Sequence, residues 1–308
     1  MDLRDRQVVI TGGAGLVGSH LAEALVKHND VVVIDNCSNG DQSAVPEAAT
    51  FRQGELLEPK VVAETITAET DMVFHLAAAK DVNADQPRKQ FEDNLQITYN
   101  LLERMEEVGV DSLAFTSSST VYGEAPRPTP EDYAPLEPIS AYGSAKLAEE
   151  GIISMYAHSH GIQSWVFRFA NIVGPRMRIG VIPDFVRKLR EDPETLVILG
   201  DGRQEKSYMH VEDCVEAISH VVENADERMN IYNLGTRTTT SVDRIADIVS
   251  ERLGLDPAYE HTGGNRGWTG DVPRMRLSIE KLAALGWEPD GSSDDAVRRA
   301  TEEVATEL

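Results

Sequence analysis

Short, continuous apolar runs alternate along this chain with longer stretches in which apolar residues recur at helical spacing. Residues 7–11 and 30–35 are β-branched runs, and Leu16, Leu21 and Leu25 follow a helical period between them. Continuous apolar runs are typical of strands that are buried on both faces of a parallel sheet. The first segment therefore predicts a strand–helix–strand unit.

The alternation continues as far as Gly174. It predicts further strands at residues 51–53, 71–76, 112–117 and 163–169, and helices at 60–70, 87–108 and 140–159. This order predicts an α/β fold, a doubly wound parallel sheet of the Rossmann type. After residue 174, prolines and glycines recur, and helices near 211–223, 242–253 and the C terminus are separated by short strands. We expect a Rossmann domain over residues 1–174 and a smaller C-terminal α/β substrate-binding region over 175–308, with some exchange of chain between them.

The net charge of the chain limits which macromolecules we expect it to bind. The 308 residues include 52 acids and 29 bases, giving a net charge of −23, and only 8 of the bases are lysines. Such a surface repels nucleic-acid phosphates and anionic membranes, so we expect neither as a partner. A diffuse acidic coat also suggests adaptation to high salt, which screens the self-repulsion.

The remaining composition favours a cytoplasmic protein without metal. No apolar stretch reaches the length of a membrane-spanning helix, and the first strand begins without a signal-peptide pattern. Cys37 and Cys214 lie far apart, and neither they nor the eight histidines show metal-ligand spacing.

A glycine pattern, Gly12-x-x-Gly15-x-x-Gly18, follows the first strand and opens the first helix. Glycines there let backbone N–H groups approach a pyrophosphate at the positive end of the helix dipole. Asp35 lies 20 residues after Gly15, where a carboxylate holds an adenosine ribose and repels a 2′-phosphate. The pattern therefore predicts a dinucleotide site that prefers NAD to NADP.

A tyrosine and a lysine are placed for proton transfer. Tyr142 and Lys146 stand at i and i+4 near the start of a predicted helix, so they share one helical face. A phenol has a pKa of about 10, and a nearby ammonium favours its ionised form. Ser118, at the end of a predicted strand, could hydrogen-bond both Tyr142 and a substrate hydroxyl. These groups predict a proton-handling site beside a hydride acceptor.

Together these motifs resemble the sugar-nucleotide epimerase/dehydratase branch of the extended short-chain dehydrogenases/reductases. The resemblance runs over nearly the whole chain and is carried by residues 11–20, 35–36, 74–79, 117–123, 142–146, 168–175, 200–211 and 266–271. It implies NAD as the cofactor, a UDP-sugar as the substrate, and Ser118, Tyr142 and Lys146 as the catalytic residues.

The resemblance also implies binding residues. Those for the cofactor are Gly12, Gly15, Leu16, Val17, Asp35, Asn36, Asn39, Gly40, Glu55, Leu56, Leu76, Ala77, Ala78, Lys80, Asn94, Ser117, Tyr142, Lys146 and Phe169. Those for the substrate are Lys80, Ser118, Tyr142, Asn171, Val181 and Ile182 (in a substrate loop), Lys206, Arg266 and Asp271. The chain departs from the family pattern in three ways: Glu55 replaces an aspartate, Lys206 replaces an arginine, and Arg266 and Asp271 are more widely spaced than in many relatives.

The stretch Ser117 to Gly123 bears on the reaction. Relatives that eliminate water carry Asp-Glu directly after the catalytic hydroxyl residue, and decarboxylases carry a Glu at the second position. This chain has Ser119 and Thr120 there, and we expect the hydroxyls of Ser117, Ser119 and Thr120 to be structural and to satisfy backbone groups at the strand end. The resemblance thus implies C4 epimerisation of a UDP-hexose (UDP-galactose/UDP-glucose) through a 4-keto intermediate, with Tyr142 as base, Ser118 as relay and Lys146 lowering the tyrosine pKa.

Three alternatives stay open at this point. One is an epimerase of UDP-N-acetylglucosamine or UDP-glucuronate; the acetylated sugar stays open because Met275 stands where relatives often carry a bulky tyrosine that excludes acetyl groups. Another is a nucleotide-sugar reductase, which Asp35 disfavours. The third is a non-catalytic NAD-binding scaffold. The resemblance also implies a homodimer, formed through a four-helix bundle of the helices at 90–108 and 140–159.

Overall fold

The computed structural model describes residues 1–79, 86–268 and 270–308. Its strands are β1 (Gln7–Thr11), β2 (Asp30–Asp35), β3 (Thr50–Gln53), β4 (Met72–His75), β5 (Ser112–Ser118), β6 (Gln163–Phe169), β7 (Asn171–Val173), β8 (Thr195–Ile198), β9 (Glu205–Lys206), β10 (Tyr208–His210), β11 (Met229–Leu234), β12 (Thr240–Ser241), β13 (Ala258–His261) and β14 (Arg274–Met275). Its α-helices are α1 (Leu16–Leu25), α2 (Pro59–Thr65), α3 (Pro87–Val108), α4 (Ala141–His160), α5 (Val181–Glu191), α6 (Val211–Asn224), α7 (Val242–Leu253), α8 (Glu280–Ala284) and α9 (Ser293–Glu307). Short 3₁₀ turns cover Gln42–Ala44 and Ser119–Tyr122.

Seven strands form the main sheet, in the order β11-β6-β5-β4-β1-β2-β3. In the centre, Val9 of β1 pairs with Val32 of β2 and Val73 of β4, all in parallel register. The strand order reverses between β1 and β4, and ligands of such sheets bind beyond the carboxyl ends of the strands at this switch point. The predicted doubly wound Rossmann sheet is confirmed.

The described chain forms two compact units. Unit 1 comprises Met1–Val121, Ala141–Arg168 and Val215–Tyr232, and unit 2 comprises Tyr122–Ser140, Phe169–Cys214 and Asn233–Leu308. Each unit therefore contains residues from both sides of position 174. The division into 1–174 and 175–308 stays a prediction.

Unit 1 is built on the main sheet. Val9 and Phe115 from β1 and β5 are fully buried, together with Leu101 and Leu102 from α3. The helix α3 has Pro87 in its first turn and ends at Val108, and the next residue, Gly109, has a φ of +81° that suits a left-handed C-cap. Because α3 packs along α4, both helices cover the same region of unit 1.

Unit 2 has a core of its own. Helices α5, α7 and α9 pack together and bury Phe185, Ile245 and Val297 among other apolar side chains. The small sheets β7–β10, β12–β9–β14 and β8–β13 complete the unit. Ser292 and Asp295 form a capping box at the start of α9, which satisfies backbone donors that the helix leaves free.

The largest difference from the predicted elements is at α2. The sequence predicted a helix over residues 60–70, but α2 ends at Thr65. The backbone of the next residue, Ile66, is extended, with φ −95° and ψ 115°. Thr65, Ile66 and Thr67 are consecutive β-branched residues, which lose side-chain freedom in a helix and favour extended backbone.

Candidate active site

The glycine loop, residues 12–18, joins β1 to α1 in very close packing. Gly12 has a φ of +69°, and a Cβ there would lie 2.6 Å from the Ala77 nitrogen. A Cβ on Gly18 would lie 2.3 Å from the Gly12 carbonyl oxygen. Gly15 is the N-cap of α1, with no side-chain cap and no acid in the first turn. The free N–H groups of this helix end therefore suit a pyrophosphate.

Asp35 is the last residue of β2 and is held in place from two sides. Its Oδ2 accepts a hydrogen bond from the Ala14 nitrogen at 3.0 Å, and its Oδ1 accepts one from the Cys37 nitrogen at 2.7 Å. Both bonds fix the carboxylate next to the glycine loop, where it can accept from a ribose hydroxyl.

Other residues that were predicted to bind the cofactor, close to Asp35 in the sequence or on the next strand, have different surroundings. Asn36 donates from Nδ2 to Glu55 Oε2 at 2.9 Å, so the substituted Glu55 binds Asn36 directly. Asn39 is exposed, and a Cβ on Gly40 would lie 2.7 Å from the Ala14 backbone. Leu56 is buried and belongs to the hydrophobic core of unit 1.

Asn94 has its amide committed to the backbone. Its Oδ1 accepts from the Ala79 nitrogen at 2.8 Å, and its Nδ2 donates to the carbonyls of Ala79 and Gln90. These bonds position the segment that contains the half-buried Leu76, Ala77 and Ala78. Lys80, predicted for both cofactor and substrate, lies outside the described residues.

Tyr142 and Lys146 lie on α4, as predicted, and Lys146 is almost fully buried. The Lys146 Nζ lies 5.9 Å from the centroid of the Tyr142 ring and 4.4 Å from that of the Phe115 ring. It also lies 3.3 Å from Glu149 Oε2, but the geometry of that pair is not that of a hydrogen bond. The buried Lys146 ammonium can therefore donate further hydrogen bonds, which suits a polar ligand such as a ribose hydroxyl.

The tyrosine pKa differs from the sequence-based expectation. We expected Lys146 to lower it, but loss of solvent and the negative charge of Glu149 together raise the pKa of Tyr142 well above its ordinary value. Burial is the larger cause of this net rise, so the lowering effect that we expect from Lys146 itself stays a prediction.

The hydroxyl stretch lies at the end of β5 and in the 3₁₀ turn that follows. Ser118 is half-buried, and its Oγ accepts a hydrogen bond from the Thr120 nitrogen at 3.2 Å. Ser117 donates to Glu150 Oε1 at 2.5 Å, a carboxylate that also pairs with Arg168. Ser117 thus hydrogen-bonds a side chain of a buried ion pair. This bond does not satisfy a backbone group, as we had expected of this hydroxyl. The Thr120 Oγ1 is buried without a partner among the described residues.

Unit 2 brings together three of the predicted substrate residues. Lys206 forms a short ion pair with Asp271 Oδ1, and Arg266 donates from Nη1 to the Asp271 carbonyl at 2.8 Å. Asp271 Oδ2 also accepts from the Gly267 nitrogen, and the Lys206 Nζ lies 4.9 Å from the centroid of the Trp268 ring. The longer Arg266–Asp271 spacing therefore still closes into one cluster.

The other predicted residues of unit 2 lie apart from that cluster in the sequence. Asn171 begins β7 and hydrogen-bonds Tyr208. Val181 and Ile182 were predicted in a loop, and this was wrong, because they form the first turn of α5. Ile182 is fully buried in the core of unit 2. Phe169 ends β6 and is half-buried.

Sequence reasoning missed the buried acid Glu149. A signal was available, because Glu149 stands at i+3 from Lys146 and i+7 from Tyr142, on the same helical face. Its partner Thr98 on α3, and His75 on β4, which contacts Thr98 in turn, could not be found in this way.

Among the residues that the structure describes, no helix is long and apolar enough to cross a membrane. The same part of the chain contains no group of three or more His, Cys, Asp or Glu side chains placed to hold a metal ion.

The fold and site define a dinucleotide-dependent α/β enzyme with a buried tyrosine–lysine pair. Residues 8–235 match the NAD dependent epimerase/dehydratase family, and the chain belongs to it. NAD is therefore its cofactor, as predicted. The glycine loop, Asp35 and the buried Lys146 ammonium are the residues that fit it.

Individual relatives are similar over most of the chain. The UDP-glucose 4-epimerase of Corynebacterium glutamicum is 31% identical, over 92% of this chain and 91% of that protein. UDP-glucuronic acid decarboxylase 4 of Arabidopsis thaliana is 34% identical, over 92% of this chain and 65% of that protein. A crystal structure of a UDP-galactose 4-epimerase matches with a TM-score of 0.90 and 40% identity, over 98% of this chain and 99% of that one.

Proposed function

We propose that this enzyme inverts C4 of a UDP-hexose, interconverting UDP-galactose and UDP-glucose. The observation that carries the proposal is the turn after Ser118, where Ser119 and Thr120 supply hydroxyls in place of carboxylates. Loss of water needs a general acid for the leaving hydroxyl. The next acid along the chain, Glu124, is engaged in an ion pair with Arg266.

This turn weighs against the decarboxylase named among the relatives, although that protein is 34% identical. Overall identity averages over the whole chain, whereas the reaction depends on the few groups that contact the reacting atoms. The epimerase relatives agree with the chemistry that Ser118, Tyr142 and Lys146 can perform without a further acid.

In the proposed reaction, NAD⁺ held by the glycine loop, Asp35 and Lys146 would supply the hydride acceptor for C4 and afterwards the hydride donor for the opposite face of the sugar. Tyr142 takes the O4 proton, directly or through Ser118, holds it while the 4-keto sugar turns about its diphosphate link, and gives it back. Lys146 stabilises the phenolate by its charge. The proton and the hydride both return, so the enzyme needs no second substrate.

In unit 2 we propose that Lys206, Arg266 and Asn171 hold the diphosphate and that Asp271 binds the uridine ribose. Lys206 and Arg266 already converge on Asp271, which is buried and accepts hydrogen bonds from both side chains. A lysine and an arginine on one carboxylate provide positive charge that a diphosphate can share.

The test is NMR of the purified enzyme with UDP-glucose, UDP-N-acetylglucosamine and UDP-glucuronate in separate reactions, without added NAD. We expect C4 inversion of UDP-glucose, which would also show that the cofactor stays bound through purification. Inversion of only the acetylated or uronic sugar would move the assignment to that substrate. Loss of water or CO₂ would contradict the proposed reaction.

We also propose a homodimer in the cytoplasm. Helices α3 and α4 pack side by side, and Met155 on α4 is 41% exposed, an apolar side chain available to a second copy. Both cysteines are free, as a reducing compartment requires. Light scattering at micromolar concentration should give the dimer mass, and a monomer would contradict the proposal.

A further inference from the structure

Helix α4 carries a third ionisable side chain on the face of Tyr142 and Lys146. Glu149 is fully buried, and its Oε2 lies 3.3 Å from the Lys146 Nζ. Nothing in the proposed reaction uses this carboxyl group. A buried acid beside a buried ammonium is costly unless hydrogen bonds complete the pair, so its surroundings are informative.

A chain of hydrogen bonds reaches Glu149 from the glycine-loop end of unit 1. The Ala77 nitrogen donates to Thr11 Oγ1 at 3.2 Å, and Thr11 Oγ1 lies 2.8 Å from His75 Nδ1. His75 Nε2 lies 3.1 Å from Thr98 Oγ1, which donates to Glu149 Oε1 at 2.8 Å. Every side chain in this chain of bonds is buried.

The backbone N–H of Ala77 can only donate, and this indicates the direction in which each group of the hydrogen-bond chain donates to the next. Thr11 Oγ1 accepts the amide proton of Ala77, so its own proton is available for His75 Nδ1. The His75 proton then resides on Nε2 and faces Thr98, whose hydroxyl proton is donated to Glu149. Burial and Lys146 lower the pKa of His75 well below its ordinary value, in agreement with a neutral ring.

The direction agrees with Glu149 as a carboxylate. Its Oε1 is the final acceptor of the chain, and its Oε2 faces the Lys146 ammonium. Burial raises the pKa of Glu149, while Lys146 and Thr98 act against that rise. Other charged and titratable groups are connected to this site: Tyr142 and Glu150 lie on α4, His75 of β4 is linked through Thr98, and Arg168 of β6 pairs with Glu150.

An ammonium that already faces a carboxylate acts less strongly on a nearby phenol than a lone ammonium does. We propose that Glu149 is a positioning residue that shares the charge of Lys146 with Tyr142, so that Tyr142 keeps its proton until oxidised cofactor brings a further positive charge. The inference rests on the proposed function only in taking Tyr142 as the base. It assigns the enzyme a means of suppressing the phenolate when NAD⁺ is absent.

The test is Glu149→Gln, which removes the charge but keeps the size and an oxygen for Thr98. Tyrosinate formation is followed by ultraviolet difference spectroscopy in NAD-loaded enzyme without substrate, with a Tyr142→Phe counterpart subtracted to isolate this residue. We expect about tenfold more phenolate at a given pH on the acid side of the titration, equivalent to a midpoint about one unit lower. The acid limb of the kcat profile should move with it.

A second pair of variants covers the case in which Glu149→Gln does not fold. Thr98→Val removes the donor to Glu149 at nearly constant size, so the carboxylate becomes easier to protonate and the Tyr142 midpoint should fall by less than in Glu149→Gln. Thr98→Ser keeps the hydroxyl and should retain the wild-type midpoint.

An unchanged or higher midpoint in Glu149→Gln, or equal midpoints in Thr98→Val and Thr98→Ser, would overturn the inference. The titration does not require turnover. A shifted midpoint in an enzyme that inverts no UDP-sugar would therefore reject the proposed function alone.

Discussion

At the scale of single residues, the proposed chemistry depends on which side chains are charged and which are neutral. Tyr142, Lys146 and Glu149 share one face of α4, while Ser118 to Thr120 provide hydroxyls at the end of β5. An acid in that turn would allow elimination, whereas an acid at Glu149 only alters the electrostatics of the lysine. The position of a carboxylate relative to the reacting atoms therefore matters more than its presence.

The first residue-scale prediction concerns Tyr142. Replacing it with Phe removes the proposed proton acceptor and should lower kcat by about 10²- to 10⁴-fold, as expected for loss of a general base. The NAD content and melting temperature should stay close to those of the wild type. Unimpaired C4 inversion in this variant would instead support a different base or a non-catalytic scaffold.

The second concerns Asp35. Asp35→Asn removes the charge that opposes a 2′-phosphate and weakens the bonds that Ala14 and Cys37 donate. We expect about tenfold weaker NAD binding, equivalent to about 1.4 kcal/mol, and a relative gain for NADP. Calorimetric titration of cofactor-stripped protein with both dinucleotides measures this, and an unchanged NAD to NADP ratio would contradict it.

At the scale of elements, the close approach of α1 to β1 depends on residues without side chains. Gly18 lies against the Gly12 carbonyl, so any side chain there forces helix and strand apart. Gly151 in α4 is the opposite case, because a Cβ at this exposed site would meet nothing within 4 Å. The two glycines therefore separate a packing requirement from helix propensity.

Gly18→Ala should destabilise the protein and abolish retention of NAD, since the added methyl displaces the helix end that is predicted to hold the pyrophosphate. Gly151→Ala should stabilise it by about 1 kcal/mol, the usual gain from Gly to Ala in a helix interior. Denaturant unfolding of both variants, with NAD content measured in parallel, tests the pair. Equal stabilities would show that the loop is less tightly packed than the distances indicate.

At the scale of the whole molecule, charge has two roles. Inside each unit it is paired, as in Glu150–Arg168 and Lys206–Asp271. Over the whole chain the acids exceed the bases by 23, an imbalance that internal pairing cannot cancel. Long-range repulsion of this kind destabilises the folded state and is screened by salt.

We therefore expect the melting temperature to rise with KCl up to about 1 M, where the Debye length falls to about 3 Å. Differential scanning calorimetry over a KCl series measures this, with sucrose as a non-ionic control. Maximal stability at low KCl would show that the acidic surface is no adaptation to salt.

Local patterns in the sequence were enough to predict the fold class and much of the candidate site. Apolar runs and helical periods predicted the Rossmann sheet, and spacing alone predicted the glycine loop with Asp35 and the Tyr142–Lys146 pair. Each depends on residues close together in the chain, where the period of a strand or helix dictates which side chains share a face. The fold class and the cofactor predicted in this way are confirmed.

Only the tertiary structure decided how the charges around Tyr142 balance. The chain of bonds that ends at Glu149 joins β1, β4, α3 and α4, elements that no local period connects. The same holds for Ile182, whose burial in the core of unit 2 depends on helices α7 and α9 packing against α5. Desolvation and hydrogen bonding act through space, so a tyrosine pKa set by groups from distant parts of the chain emerges only once those parts are folded together.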